Sequence, residues 1–230
     1  MKGVDSALSQ ALDYLSRDWH VFPLIPKGKE PISDWKWVDE CVPIEEVPYR
    51  FGDSPNNIGI GLGRLSGGLV DIDLDWPEAR AIAEATKIFD DLPAFGRAGA
   101  PNSHRVAICV EARKPQRKKA EKSDLGGVKK FTLPSAMKTD PRLPPAGGHP
   151  LCVAELRGSG GYTMFPGSVH PSGEAVCWEP DLSDSLPEMS WEELERRVGL
   201  VAFLAVALRF YPAEGARIAS SVHRSFSSSL

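Results

Sequence analysis

The sequence lacks any uninterrupted run of about 18 apolar residues, the length a membrane-spanning helix needs, so no transmembrane helix is expected. It lacks a signal-peptide core behind Met1-Lys2-Gly3-Val4-Asp5-Ser6, so a cytoplasmic location is expected. No Cys-x-x-Cys pair is present, which excludes a zinc ribbon. Cys41, Cys109, Cys152 and Cys177 are far apart and read as small buried hydrophobes, reduced in a cytosolic chain. No internal repeat occurs. Overall positive charge is missing too. With 27 basic and 31 acidic residues the net charge is −4, which gives no global pull toward nucleic acid.

The mean hides a local excess. Arg113, Lys114, Arg117, Lys118, Lys119, Lys122, Lys129 and Lys130 crowd one segment, opposed there only by Glu121 and Asp124. Such a patch can track a phosphate backbone or be a solvated surface loop. Lys27 and Lys29, on the turn-rich stretch Pro26 to Pro31, form a second, smaller candidate for phosphate contact. At 230 residues, 42% of them apolar and 25% charged, the chain is an ordinary globular protein of one large domain or two small ones.

Periodicity predicts an amphipathic helix near 7–17, a strand over 19–25 and a glycine-alternating strand over 57–63. The alternation at Gly59, Gly61 and Gly63 implies close approach by another backbone. No helix is expected straight after it, which excludes a dinucleotide-binding fingerprint. A tight turn at 64–68 is expected to join this strand to the next as a hairpin. Further on, the pattern predicts a helix over 77–89, a loop over 95–102 and a strand opening at Ser103-His104-Arg105. A Pro/Gly-rich linker follows from Pro134 to Pro150, then strands over 151–157 and 175–178 and a helix over 191–210. The serine-rich end from Ser220 is expected to fray.

The most informative stretch is Gly67-Gly68-Leu69-Val70-Asp71-Ile72-Asp73-Leu74-Asp75. Its apolar residues mark a buried strand, yet acids stand at every second position. Asp71 and Asp73 therefore share one side, about 6.5–7 Å apart along the backbone. Paired carboxylates repel unless a positive group lies between them, and oxygen-only ligation suits magnesium or manganese. Asp75 reads instead as the cap of the helix that opens with Trp76-Pro77-Glu78.

A second apolar strand carries Glu155, followed by Arg157. Taken singly, Glu155 suits an ion pair with Arg157 and His104 suits a structural role. Taken together, three carboxylates from two strands and a histidine suit two-metal phosphoryl or nucleotidyl transfer. Arg97, Arg105 and Arg157 are candidates to hold phosphates.

In order, these motifs resemble the primase–polymerase branch of the archaeo-eukaryotic primase superfamily, common in plasmids, phages and other mobile genetic elements. The likeness rests on Gly67-Gly68-Leu69-Val70-Asp71-Ile72-Asp73, on Phe95-Gly96-Arg97 with Ser103-His104-Arg105, and on Glu155, Arg157, Gly160, Gly161 and Tyr162. It extends to Pro166-Gly167-Ser168-Val169-His170-Pro171-Ser172-Gly173 and to Lys29-x-Pro31 before Trp35. The resemblance covers roughly residues 7 to 180.

It implies an α+β fold, with an RRM-like catalytic sheet and a flanking α/β unit over residues 1–185. A C-terminal helix and the start of a linker would occupy 186–230. It implies that Asp71, Asp73 and Glu155 ligate two Mg2+ or Mn2+ ions, and that His104 contacts the triphosphate of an NTP or dNTP. Arg97, Arg157 and His170 would lie near the nucleotide. The implied activity is a DNA primase/polymerase acting on single-stranded DNA template, with any helicase supplied in trans. A metal-dependent phosphohydrolase or nuclease using the same acids, and an inactive replication-associated DNA-binding module, remain the alternatives.

Overall fold

The computed structural model describes residues 6–32, 36, 41–113, 126–144, 150–180 and 182–212. Trp35, Trp37, Arg117, Lys118, Lys119 and the tail from Ser220 lie outside the described residues. Three α-helices are present among the described residues: α1 (Ala7–Ser16), α2 (Pro77–Thr86) and α3 (Trp191–Phe210). The strands are β1 (His20–Leu24), β2 (Asn57–Gly61), β3 (Leu69–Asp73), β4 (Ala94–Arg97) and β5 (Ala100–Cys109). They continue as β6 (Val128–Thr132), β7 (Cys152–Arg157), β8 (Tyr162–Met164), β9 (Cys177–Trp178) and β10 (Glu188–Met189).

Local chemistry sets the helix ends. Ser6 and Ser190 cap α1 and α3, their hydroxyls accepting from the N–H groups of Ser9 and Glu193 at 3.2 Å. Pro77 opens α2, where its missing N–H costs nothing, and Lys87 in the left-handed region closes it. Asp75 does not cap this helix. The cap position belongs to Trp76, whose buried indole donates to the Pro150 carbonyl at 3.1 Å.

The strands form two sheets. The small one runs β1-β2-β8, all antiparallel. The large one runs β6-β7-β3-β5-β4-β9, with β10 parallel to β5. Within it, β3-α2-β4 is a split βαβ unit with β5 inserted between its strands, and β7 lies on the other side of β3. This is the expected mixed α+β architecture, with α1 and the small sheet as the flanking unit.

Two local expectations need correction. β2 and β3 do not form a hairpin: they belong to different sheets and meet only at the Gly63–Leu69 bridge, past the helical turn Arg64–Ser66. The chain uses that turn to change sheets. Residues 95–102 are not a loop but a β4–β5 hairpin, because Phe95 pairs with His104 on one side and Trp178 on the other. Close approach by another backbone is found at Gly63, where a Cβ would collide with the Ser159 backbone nitrogen, whereas the glycines within β2 are crowded by side chains. A Cβ at Gly59 would lie 2.6 Å from the Phe22 ring.

Alternation along β3 divides the molecule. Val70 and Ile72 face the helix layer and pack with Ala79, Ile82, Trp191, Leu194, Val198 and Val201. α3, beyond residue 185, is thus part of the same core. Leu69 faces the other way, into a core with Phe22, Ile58, Ile60, Phe95, Val106 and Phe165 that joins the two sheets. Asp71 and Asp73 share this second face, at the sheet junction. Ile72→Ala, which empties a site that is 1% exposed, should cost about 2–5 kcal/mol in urea unfolding. A loss near zero would show that β3 is not the floor of the helix-side core.

Candidate active site

Register brings the acids together. Across the antiparallel ladders, Asp73 lies opposite His104 on β5 and Glu155 on β7, while Asp71 lies opposite Arg157. Directly opposed residues point to the same face, so three strands deliver Asp71, Asp73, His104, Glu155 and Arg157 to one surface. Thr163, on β8 of the small sheet, reaches the same place.

Each carboxylate has defined partners. Asp71 is fully buried, and its Oδ1 lies 3.0 Å from His104 Nδ1 while its Oδ2 accepts from Thr163 Oγ1 at 2.7 Å. Arg157 spans all three acids. Its Nη2 lies 2.6 Å from Asp73 Oδ2, its Nε 2.7 Å from Glu155 Oε2, and its Nη1 3.6 Å from Asp71 Oδ2. Lys130, on the edge strand β6, donates to Glu155 Oε1 at 2.7 Å. Thus the positive group that the paired acids require is, here, a guanidinium. Phe95 stacks flat on His104, ring centroids 4.5 Å apart and planes 3° from parallel, and fixes the imidazole plane.

These contacts shift the protonation equilibria. Burial opposes charge on Asp73, but His104, Arg157 and Lys29 outweigh it and hold the carboxyl below its usual range. Burial likewise opposes the Glu155 carboxylate, and Arg157 and Lys130 prevail. Burial disfavours the His104 imidazolium, yet Asp71 and Asp73 together raise it above its ordinary value. Asp75 goes the other way. Loss of water around its carboxyl, with Asp73 and Glu155 close by, pushes it up to about 6 although the residue is exposed as a whole.

Beside this acidic floor opens a cleft of about 490 Å³, within the range of small-ligand sites. Lys29, Arg80, Arg97 and His170 line it together with Asp73, Asp75, His104 and Arg157. Arg97 is ion-paired with Glu174. His170 is pushed down to about 4, by burial and then by Lys29 and Arg97, so it is neutral at pH 7. Its Nδ1 accepts from the Ser172 N–H at 3.1 Å, which leaves the proton on Nε2.

Sequence reasoning named most of this set and misjudged some members. Asp71, Asp73, His104, Glu155 and Arg157 converge, and Lys29, Arg97 and His170 reach the cleft. Arg105 does not. It pairs with Ile72, so it faces away from the acids, buried, with Nη1 donating to the carbonyls of Asn102 and His104. Lys27 is exposed and is not among the cleft-lining residues.

Asp75, Lys130, Thr163 and Arg80 were missed. The alternation Asp71-x-Asp73-x-Asp75 was the available signal for Asp75. Lys130 was hidden inside a general basic excess. Cys109 and Cys152 are buried, while Cys41 and Cys177 are half-buried rather than fully enclosed, all four as free thiols. The Cys152 thiol lies 3.6 Å from Glu155.

The donor set suits a divalent ion. Carboxylate oxygens dominate it, as a hard cation prefers. Among the described residues, the donors of Asp75, Cys152 and Glu155 already lie within 4.8 Å of one another. Asp71, Asp73 and Glu155 are held around Arg157 instead, so an ion bound by all three must share or replace the guanidinium.

His104 should titrate above its ordinary 6.5 in ring-resolved NMR, and Asp71→Asn should lower that midpoint. A raised pKa means the His104–Asp71 pair stabilises the fold fully below about pH 6.5 and loses that contribution as pH rises through the folded midpoint. An unchanged midpoint in the variant would show that Asp71 does not govern the ring.

No described helix is long and apolar enough to cross a membrane. Comparison with curated proteins returns no match. The family model for the bifunctional DNA primase/polymerase N-terminal domain matches residues 11–191, the span that holds both sheets and every residue of the acidic face. The chain belongs to the bifunctional DNA primase/polymerase N-terminal (Prim-Pol) family.

Proposed function

We propose that this face performs template-directed nucleotidyl transfer on single-stranded DNA, making or extending primers from NTP or dNTP. One observation carries the reading: Asp73 at the end of β3, Asp75 just beyond it and His104 of β5 line a cleft that Lys29, Arg80, Arg97 and His170 complete, while Asp71 and Glu155 share the face of Asp73. Acids that can hold divalent cations and bases that can hold phosphates thus share one cavity. Asp71, Asp73 and Glu155 would hold the ions, with Asp75 beside them. Two Mg2+ or Mn2+ ions there would supply charge stabilisation for the attacking and leaving oxygens.

The chain's own residues do the rest. Lys29 and Arg97 neutralise the phosphate tail of the incoming nucleotide, and neutral His170 donates its Nε2 proton to a phosphate oxygen. His104, held flat by Phe95 and with its protonated form favoured by Asp71 and Asp73, offers its other nitrogen toward the cleft. Arg157, which pairs with all three acids, would be free to reach phosphate where ions took its place.

The test is incorporation of labelled nucleotide on unprimed single-stranded DNA with Mg2+ or Mn2+. Asp73→Asn should reduce incorporation by at least about a hundredfold with its circular dichroism unchanged. Degraded template, or triphosphate hydrolysis without a template, would replace polymerisation with a hydrolytic reading. Template binding with no chemistry would make the protein a binding module.

A further inference from the structure

The two loops that carry Lys29 and His170 are far apart in sequence and meet at one buried amide. Asn57, first residue of β2, is 2% exposed. Its Nδ2 donates to the Gly28 carbonyl at 2.9 Å and to the Val169 carbonyl at 2.7 Å. Its Oδ1 accepts from the Val169 N–H at 2.8 Å. Nδ2 also lies 3.3 Å from Met164 Sδ, and Met164 lines the cleft.

Gly28 immediately precedes Lys29, and Val169 immediately precedes His170. The orientation of the amide is fixed, because the Val169 N–H needs the oxygen and the two carbonyls need the nitrogen.

We propose that Asn57 is a positioning residue that clamps both loops and so sets the spacing of Lys29 and His170 for the phosphates of a nucleoside triphosphate. The assignment of that ligand rests on the proposed function. The clamp itself rests on geometry.

A side chain with other hydrogen-bonding capacity cannot replace it. A carboxylate at this position keeps the acceptor for Val169 N–H but turns oxygen toward both carbonyls, which opens the clamp. A hydrophobic residue would leave the carbonyls and N–H buried and unpaired. Because β2 pairs along its backbone with β1 and β8, the sheet itself does not depend on this side chain. The neighbouring Ile58 N–H also ties the second loop through Ser168 Oγ at 2.8 Å. The loss expected on substitution is therefore of loop position rather than of the whole domain.

The experiment compares dATP binding with Mg2+, by calorimetry, for wild type, Asn57→Asp, the Lys29→Ala/His170→Ala pair and the triple variant. Asn57→Ser, whose hydroxyl reaches fewer partners, is the second choice if the aspartate fails to fold. Asn57→Asp should weaken dATP about tenfold, since misplaced charges bind poorly. The triple variant should bind no more weakly than the pair, because a clamp acts only through the groups it holds. Additive losses, or wild-type affinity in Asn57→Asp, would overturn the clamp.

A ligand-free readout runs beside it. His170, held down at about 4 in the wild type by burial, Lys29 and Arg97, should titrate nearer 6.5 in the uncharged Asn57→Ser as the ring leaves that setting. An unmoved midpoint would also overturn the clamp. No dATP binding by wild type, with the His170 shift present, would keep the clamp and remove the nucleotide reading.

Discussion

Three carboxylates on one face of a sheet need a cation among them, and Arg157 is that cation. Like charges about 5 Å apart repel by about 3 kcal/mol at an effective dielectric of 20, and burial adds to the penalty. Asp71 and Asp73 cannot move apart, because backbone pairing on both sides of β3 fixes their spacing. Glu155 is fixed opposite Asp73 by the same ladder. The fold therefore depends on a guanidinium that reaches all three, aided by Lys130 at Glu155 and by His104 at Asp71. The charges balance closely enough for the strand to be buried and still keep acids on it.

That balance explains the position of the site. One face of β3 is devoted to the helix-side core, where Val70 and Ile72 meet α2 and α3. The other face begins apolar, with Leu69 in the core between the sheets, and turns acidic where the small sheet gives way to the cleft. Thr163 crosses from the small sheet to Asp71, so the acidic centre is tied to both sheets. The two basic loops that face it hang from β2 of the small sheet. The acids come from the large sheet, Lys29 and His170 from loops beside the small one, and Arg80 and Arg97 from α2 and β4 on the large-sheet side.

Much of this was legible in the sequence because its signals are short-range. Period-two acids on an apolar strand can be read directly, and so can the apolar helix over 191–210. Errors came where tertiary partners decide. Asp75 resembled a cap, but Trp76 took the cap position and the aspartate stayed with the acids. Residues 95–102 are rich in glycine, alanine and proline, yet Trp178 and His104 pair with Phe95 and make a hairpin of them. Arg105 could not be separated from His104 by composition. Only the register, which puts it opposite Ile72, sends it to the other face. Asn57 gave no sequence signal at all, since its role lies in joining Gly28 to Val169.

The most direct measurement follows the arginine side-chain Nε–H signal of Arg157 and the ring signals of His104 by NMR during a Mg2+ titration. Both should shift together and saturate as the guanidinium yields the acids to the ion, and both shifts should vanish in Asp73→Asn. If neither signal moves at saturating Mg2+, the ion binds elsewhere and the acidic face is not the metal-dependent centre of this protein.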